Sequence, residues 1–239
     1  NYNFFMKDLI IDGEEKVDHG FYMHGGQHFS ISNIIVKNAN SNGFVVNGEP
    51  GYGVYYGEFK HIHARKNGGH GIEFRSLVEG NYIANVKLDS CISMFNEGRG
   101  FNIEFASLTL TAVSAEKNNG VGIGVSHVYS FDLIGGYFEH NGEGYAVDNA
   151  PDAGTEDVAI QVIDWGTGIY ILGGRIIGRI IYPANTRGSI HSRGHPRYDS
   201  SVTLAANADT KTVPNLPTPA IIVPSLPEKD IPDVSGEGS

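Results

Sequence analysis

Apolar and polar residues alternate over short runs of this chain, and the runs recur. Ile34/Val36, Ile62/Ala64, Ile92/Met94 and Val113/Ala115 share one phase, while Ile35, His63, Ser93 and Ser114 between them take the other. A period of two predicts strands whose residues face opposite sides. A longer period encloses this one. A Gly followed by an apolar residue recurs at Gly20-Phe21, Gly43-Phe44, Gly71-Ile72, Gly100-Phe101, Gly122-Ile123, Gly144-Tyr145 and Gly168-Ile169, at intervals of 23, 28, 29, 22, 22 and 24 residues. Asn40, Asn67, Asn96, Asn118 and Asn141 each precede such a glycine by three or four positions. Every unit reads strand, Asn/Gly turn, short strand, loop, strand, and Asn and Gly suit the turns because both tolerate positive φ.

Period-two patterning nested in a repeat of about 25 residues predicts an all-β fold, a single-stranded right-handed parallel β-helix of about seven coils. Rungs stack about 4.8 Å apart and the inward residues form one continuous core. A propeller needs longer repeats of about 40–45 residues, and a leucine-rich repeat a fixed Leu frame. A sandwich gives turn signals every 8–12 residues or so without a long register. Extra residues must leave the rung as loops, at 47–58, 75–82 and 148–166. The solenoid is expected over residues 1–195. Residues 196–239 read as an extended strap or linker, because Pro214, Pro217, Pro219, Pro224, Pro227 and Pro232 cannot donate to a ladder. The chain opens without Met inside a strand-like pattern, which reads as a piece of a longer protein.

Composition narrows the partners. Of the 239 residues 32 are Gly and only 18% are charged, which disfavours helices, and the formal charge of −10 disfavours nucleic acid. The single Cys91 excludes an intrachain disulfide and a Cys-based metal cluster. No apolar run of about 18 residues marks a membrane span.

The stretches FFMKDLIIDG, FSISNIIVKNANSNGFVVNG, FKHIHARKNGGHGIEF and FDLIGGYFEHNGEGYAV resemble the pectin-lyase-like right-handed β-helix superfamily, and within it the body domains of bacteriophage tailspikes and capsule depolymerases. The resemblance covers roughly residues 4–182. It implies a homotrimer on a virion tail, outside the cell, attached through an upstream segment. Its implied partner is a bacterial surface polysaccharide (capsule or O-antigen), often cut as well as bound, with no cofactor. Fold alone assigns no reaction. The multiple-aspartate pattern of polygalacturonase-like enzymes is missing, as are the Ca²⁺-binding Asp cluster and Arg of pectate lyases and the nonapeptide Ca²⁺ repeat.

Two glutamates are the first candidates for acid/base glycoside hydrolysis. In Gly71-Ile72-Glu73-Phe74-Arg75 the apolar residues face the core, so Glu73 and Arg75 face out, and the same logic turns Asn102 and Glu104 outward. Aligning Gly71 with Gly100 stacks Asn102 beside Glu73 and Glu104 beside Arg75, leaving the carboxylates about 8 Å apart. Aligning the two Ile-Glu-Phe runs stacks them directly at roughly 5 Å. The first spacing suits an inverting hydrolase and the second a retaining one. Arg75 and Asn102 are candidate substrate contacts, Arg75 as a clamp for an acidic sugar. The competing reading is an ordinary solvated face.

Further substrate contacts come from elsewhere. Lys37, Arg65, Phe95, Glu116 and Glu139 form a second outward column, with His63 and Tyr137 one pleat away. The acidic 148–166 loop carries Trp165, the only tryptophan, which could stack a sugar. His61, His63 and His70 lack evident third and fourth ligands, so no metal site is expected. A non-catalytic receptor-binding fibre or adhesin uses the same surface without product, and a lyase or epimerase is a third option.

Overall fold

The computed structural model describes residues 4–76, 78–80 and 82–142, together with 158–162, 169–172, 174–176, 179–181, 190–193 and 197–198. Among these there is no helix. The chain runs β1 (Phe4–Asp12), β2 (Phe21–His24), β3 (Gly26–Gln27) and β4 (Phe29–Lys37), then β5 (Phe44–Gly48), β6 (Val54–Tyr55) and β7 (Glu58–Arg65). It continues through β8 (Ile72–Ser76), β9 (Ile83–Asp89) and β10 (Ile92–Met94), then β11 (Phe101–Glu104), β12 (Ala106–Glu116), β13 (Ile123–Ser126) and β14 (Ser130–Glu139). Short strands follow: β15 (Val158–Val162), β16 (Ile169–Leu172), β17 (Arg175–Ile176), β18 (Arg179–Ile181), β19 (Ile190–Arg193) and β20 (Arg197–Tyr198).

Successive coils pair in parallel and build two sheets. The short sheet stacks β2, β5, β8, β11, β13, β15 and β18, and the remaining strands form a 13-stranded sheet. This is a parallel β-helix, as the repeat predicts, with about five turns against the seven or so expected. Crossovers between parallel strands are right-handed as a rule. Phe44, Phe59, Phe74, Phe101, Phe131 and Phe138 are fully buried along the axis, and each contributes about 1.5–3 kcal/mol by leaving water. In the first described coil Phe4 and Leu9 of β1, inward by their register with Phe29 and Ile34, stay 46% and 40% exposed.

Single residues with positive φ bend the larger sheet. Asp8, Asn33, His61, Ser90 and Ala112 hold φ of 50–59°. The ladder skips this position between Ser32↔Lys60 and Ile34↔Ile62. The bend also resets the alternation, so that Ile31 and Ile34 both point inward. That reset corrects one unit of the sequence reading. In the third coil Cys91 and Ser93 face the core and Ile92 and Met94 lie outside, because Ile92 pairs with His63, not with Ile62. A one-residue slip moves a whole strand to its other face. Ser93 is tolerated inside because its hydroxyl donates to the Gly100 carbonyl at 2.7 Å and accepts from Asn96 Nδ2 at 3.1 Å.

At the next corner the positive φ belongs to Asn38, Lys66, Phe95, Lys117 and His140, and of the Asn–Gly turn residues that the sequence suggested only Gly142, at 82°, shares it among the described residues. The asparagines one step later do a different job. Asn67 Nδ2 donates to Asn96 Oδ1 at 2.8 Å, Asn96 Nδ2 to Asn118 Oδ1 at 2.9 Å, and Asn118 Nδ2 to Asn141 Oδ1 at 2.8 Å, all buried. Ala39 holds this position in the coil before, while Asn40 is exposed and outside the ladder. Gly71 is needed for close approach: a Cβ there would lie 1.9 Å from Ser93 Oγ and 2.5 Å from Asn96 Nδ2. The stack Phe21, Phe44, Ile72, Phe101, Ile123 follows the predicted repeat, but Ile160 comes next. Ile169 instead sits in the larger sheet against Phe131. The Pro-rich stretch lies outside the described residues.

Candidate functional site

The outer side of the short sheet carries a grid of side chains. The residue before each repeat glycine forms one column: His19, Asn42, His70, Arg99, Val121. Tyr22, Val45, Glu73, Asn102 and Gly124 form the second. His24, Asn47 and Arg75 open the third, which Glu104 and Ser126 continue. Asn102 therefore stands beside Glu73, as the glycine alignment predicts, and the direct stacking of the two glutamates is excluded.

The middle of the grid is packed. Glu73 is only 5% exposed, so it is not a solvated surface residue. Asn42 Nδ2 donates to its Oε2 at 2.6 Å and Asn102 Nδ2 to its Oε1 at 3.1 Å, while Arg75 Nη1 lies 3.4 Å from Oε2. The amide oxygens are used as well. Asn42 Oδ1 accepts from the His70 N–H at 2.7 Å, and Asn102 Oδ1 from Arg99 Nη1 at 2.5 Å. The Arg99 N–H donates to His70 Nδ1 at 3.0 Å, which places the proton of a neutral imidazole on Nε2. Burial holds the His70 pKa below its ordinary value; Glu73 opposes this, and Arg99 and Arg75 reinforce it. Burial also lowers the Arg99 pKa, against the attraction of Glu104 and then Glu73. The Arg99 stem crosses the sheet over Gly124, where a Cβ would meet its Cδ at 2.6 Å.

Three buried atoms on this face have no hydrogen-bond partner among the described residues: His19 Nδ1, Asn47 Oδ1 and Arg75 Nε. Asn47 and Arg75 are ladder neighbours. At the first-coil end the grid turns aromatic. Tyr22, 47% exposed, stacks on His19 at 5.8 Å, and His24 packs on Tyr52 at 4.9 Å while its Nε2 meets Glu49 Oε1 at 2.6 Å. Glu104 is half-buried; its carboxylate attracts Arg99 but accepts no hydrogen bond among the described residues.

Glu73, Arg75, Asn102 and Glu104 thus share one face, but His63 and Tyr137 do not join them. They lie on the larger sheet, in the column Ile35, His63, Ile92, Ser114, Tyr137, three rungs or roughly 14 Å apart. Burial, then His61 and Arg65, keep the His63 pKa low. Tyr137 donates its hydroxyl hydrogen to Glu139. In the charged column the place given to Phe95 belongs to Met94, and Phe95 occupies the corner. His61 sits on the bend, bonded to Asn33 Oδ1, and His70 on the other sheet, so the three histidines do not converge. Trp165 lies outside the described residues. Asn42, Arg99 and Asn47 were missed from sequence, and His70 was weighed only as a metal ligand. Their signal was position, three of them immediately preceding a repeat glycine.

Compared with protein-family models, curated proteins and solved structures, the chain matches none of them.

Proposed function

We propose that this protein is a carbohydrate-binding β-helix of the tailspike type, holding a bacterial surface polysaccharide on the outer side of its short sheet. The observation that carries the reading is the pair Asn47 Oδ1 and Arg75 Nε: one acceptor and one donor on adjacent rungs, both buried and, among the described residues, without a partner. An unpaired buried polar atom costs about 1–3 kcal/mol. A sugar hydroxyl donates and accepts at once, so it would satisfy both atoms once the side chains around them shift to admit it. The Tyr22/His19 and His24/Tyr52 rings supply stacking surface on the same face. From the first row to the fifth the grid spans about 19 Å, room for several sugar units. The virion tail, the homotrimer and the extracellular setting rest on the sequence resemblance alone.

Glu104 favours a second reading, in which the bound glycan is also cut. Its carboxyl group has free lone pairs and stands one pleat from Asn102. Protonated, it would give its proton to the leaving glycosidic oxygen as the bond to the anomeric carbon breaks. Water then adds at that carbon and loses a proton to a base. Glu73 is 5% exposed and already holds Asn42, Asn102 and Arg75, which leaves water little access to it as that base, so recognition without cleavage is the better-supported form.

A panel of purified capsular and O-antigen polysaccharides tests both. Binding is read by surface plasmon resonance and products by mass spectrometry. One polysaccharide should bind, and Arg75→Gln should weaken that binding at least tenfold. Products heavier by one water establish hydrolysis, and unsaturated products a lyase. No binding anywhere in the panel sinks the proposal.

A further inference from the structure

A second recess lies at the corner where the larger sheet turns toward the short one. Its volume is about 470 Å³, within the range of small-molecule sites. Lys66, Gly68, Asn40, Phe95, Glu97 and Glu15 line it. A Cβ at Gly68 would sit 2.2 Å from the Asn40 carbonyl oxygen, so the floor stays bare.

Phe95 is the unusual member. It is 39% exposed and its φ is 57°, a conformation costly for a bulky residue and natural for the Asn38 of the same corner column. Packing does not account for the ring: Lys117 Nζ lies 5.6 Å from its centroid on one side, and the residue lines the cavity. The φ is that of the corner in every coil, so what sets Phe95 apart is an exposed aromatic ring where the other coils carry Asn38, Lys66, Lys117 and His140. The polar groups around it are uncommitted. Among the described residues the Lys66 ammonium, the Glu15 carboxylate and the Asn40 amide make no side-chain hydrogen bond, and Glu97 uses Oε2 alone, accepting from Asn119 Nδ2 at 2.5 Å.

We infer that this corner is a binding site for a single neutral pyranose. Phe95 offers a ring face to the apolar side of the sugar. Glu15 and Glu97 accept from its hydroxyls, and Lys66 and Asn40 donate to them. The two acids balance the two lysines, which disfavours a phosphate or a polyanion. The site is separate from the grid on the short sheet, and its occupancy does not depend on that grid.

Saturation-transfer difference NMR with the methyl glycosides of glucose, galactose, mannose and N-acetylglucosamine tests this on the whole chain. At least one glycoside should show transfer at millimolar concentration. Phe95→Asn, which keeps a residue suited to positive φ, should weaken it about tenfold, the equivalent of one aromatic contact. Glu97→Gln should weaken it too, while Tyr22→Ala, on the short-sheet grid, removes only transfer that arises there. No transfer from any of the four, or transfer untouched by Phe95→Asn and Glu97→Gln, overturns the inference. Transfer lost only in Tyr22→Ala overturns it as well, while leaving the short-sheet proposal standing.

Discussion

Asn102 stands one rung beyond Glu73 and gives it a hydrogen bond of 3.1 Å, while Asn42 on the rung before gives another of 2.6 Å. A carboxylate clasped from both sides in this way is a structural hub. Glu73→Ala should cost about 3–5 kcal/mol, because Arg75 and two amides lose their acceptor. Glu73→Gln should cost less, about 1–3 kcal/mol, since one of its new N–H groups faces an existing donor. Urea unfolding midpoints at constant m-value measure both. Equal stability of wild type and Glu73→Ala would mean the clasp contributes nothing.

The asparagine ladder makes a sharper contrast. Asn96 accepts from the Asn67 backbone and side chain and donates to Ala64, Ser93 and Asn118. Asn96→Ala should therefore cost about 2–4 kcal/mol. Asn40→Ala, one step outside the ladder, should change stability by no more than about 0.5 kcal/mol. Thermal unfolding of the two variants compares them directly.

Gly124→Ala should dislodge Arg99. The new Cβ falls 2.6 Å from Arg99 Cδ, and the guanidinium must leave Asn102 to clear it. The expected signs are a shifted Arg99 Nε–Hε resonance and a loss of about 1–3 kcal/mol. An unmoved resonance would show that the stem has room to spare.

Acid should weaken the fold in two stages. His70 and His63 have pKa values below 6.5, so the unfolded chain takes up their protons first. Their contribution is complete above about pH 7 and is lost as the pH falls through 6.5 toward the folded values. Asp12 behaves as a depressed carboxylate. Its bonds with Lys37, Asn38 and the Glu14 N–H lower its pKa to about 2, so its share fades between about pH 4 and 2. Histidine and carboxyl NMR titrations report each group. His70→Asn should flatten the first stage.

Cys91 should be chemically silent in the native protein. Burial pushes its thiol pKa up to about 12. Iodoacetamide labelling at pH 8 should follow the unfolding curve, and fast labelling without denaturant would contradict the packing around β10.

The coil was legible in the sequence because its marks are local. Glycine at 43, 71, 100 and 122 and asparagine at 67, 96, 118 and 141 recur at coil spacing, and their stacking gave the register that puts Asn102 beside Glu73. What surrounds Glu73 was not legible. Its partner Asn42 lies 31 residues away, and His70 is bonded to Arg99 across 29, with no apolar pattern to mark either. The third coil misled for a physical reason. Ser93 is buried because its hydroxyl is satisfied, and Ile92 is outside because the bend at Ser90 fixes the phase. Polarity at a single position is a weaker guide than the location of the bend.

Because each coil bonds only to the one before and the one after, a coil behaves as a cassette. The coil of β8 to β10 and that of β11 and β12 fill equivalent rungs although their glycine-to-glycine lengths are 29 and 22 residues. Ladder, bends and core supply standard joints at every level, and all the surplus length is displayed at the rim. Duplicating or deleting one whole coil would lengthen or shorten the outer grid by a single row without re-engineering the interior. A lineage built this way can change how long a surface it reads by copying one segment of its gene.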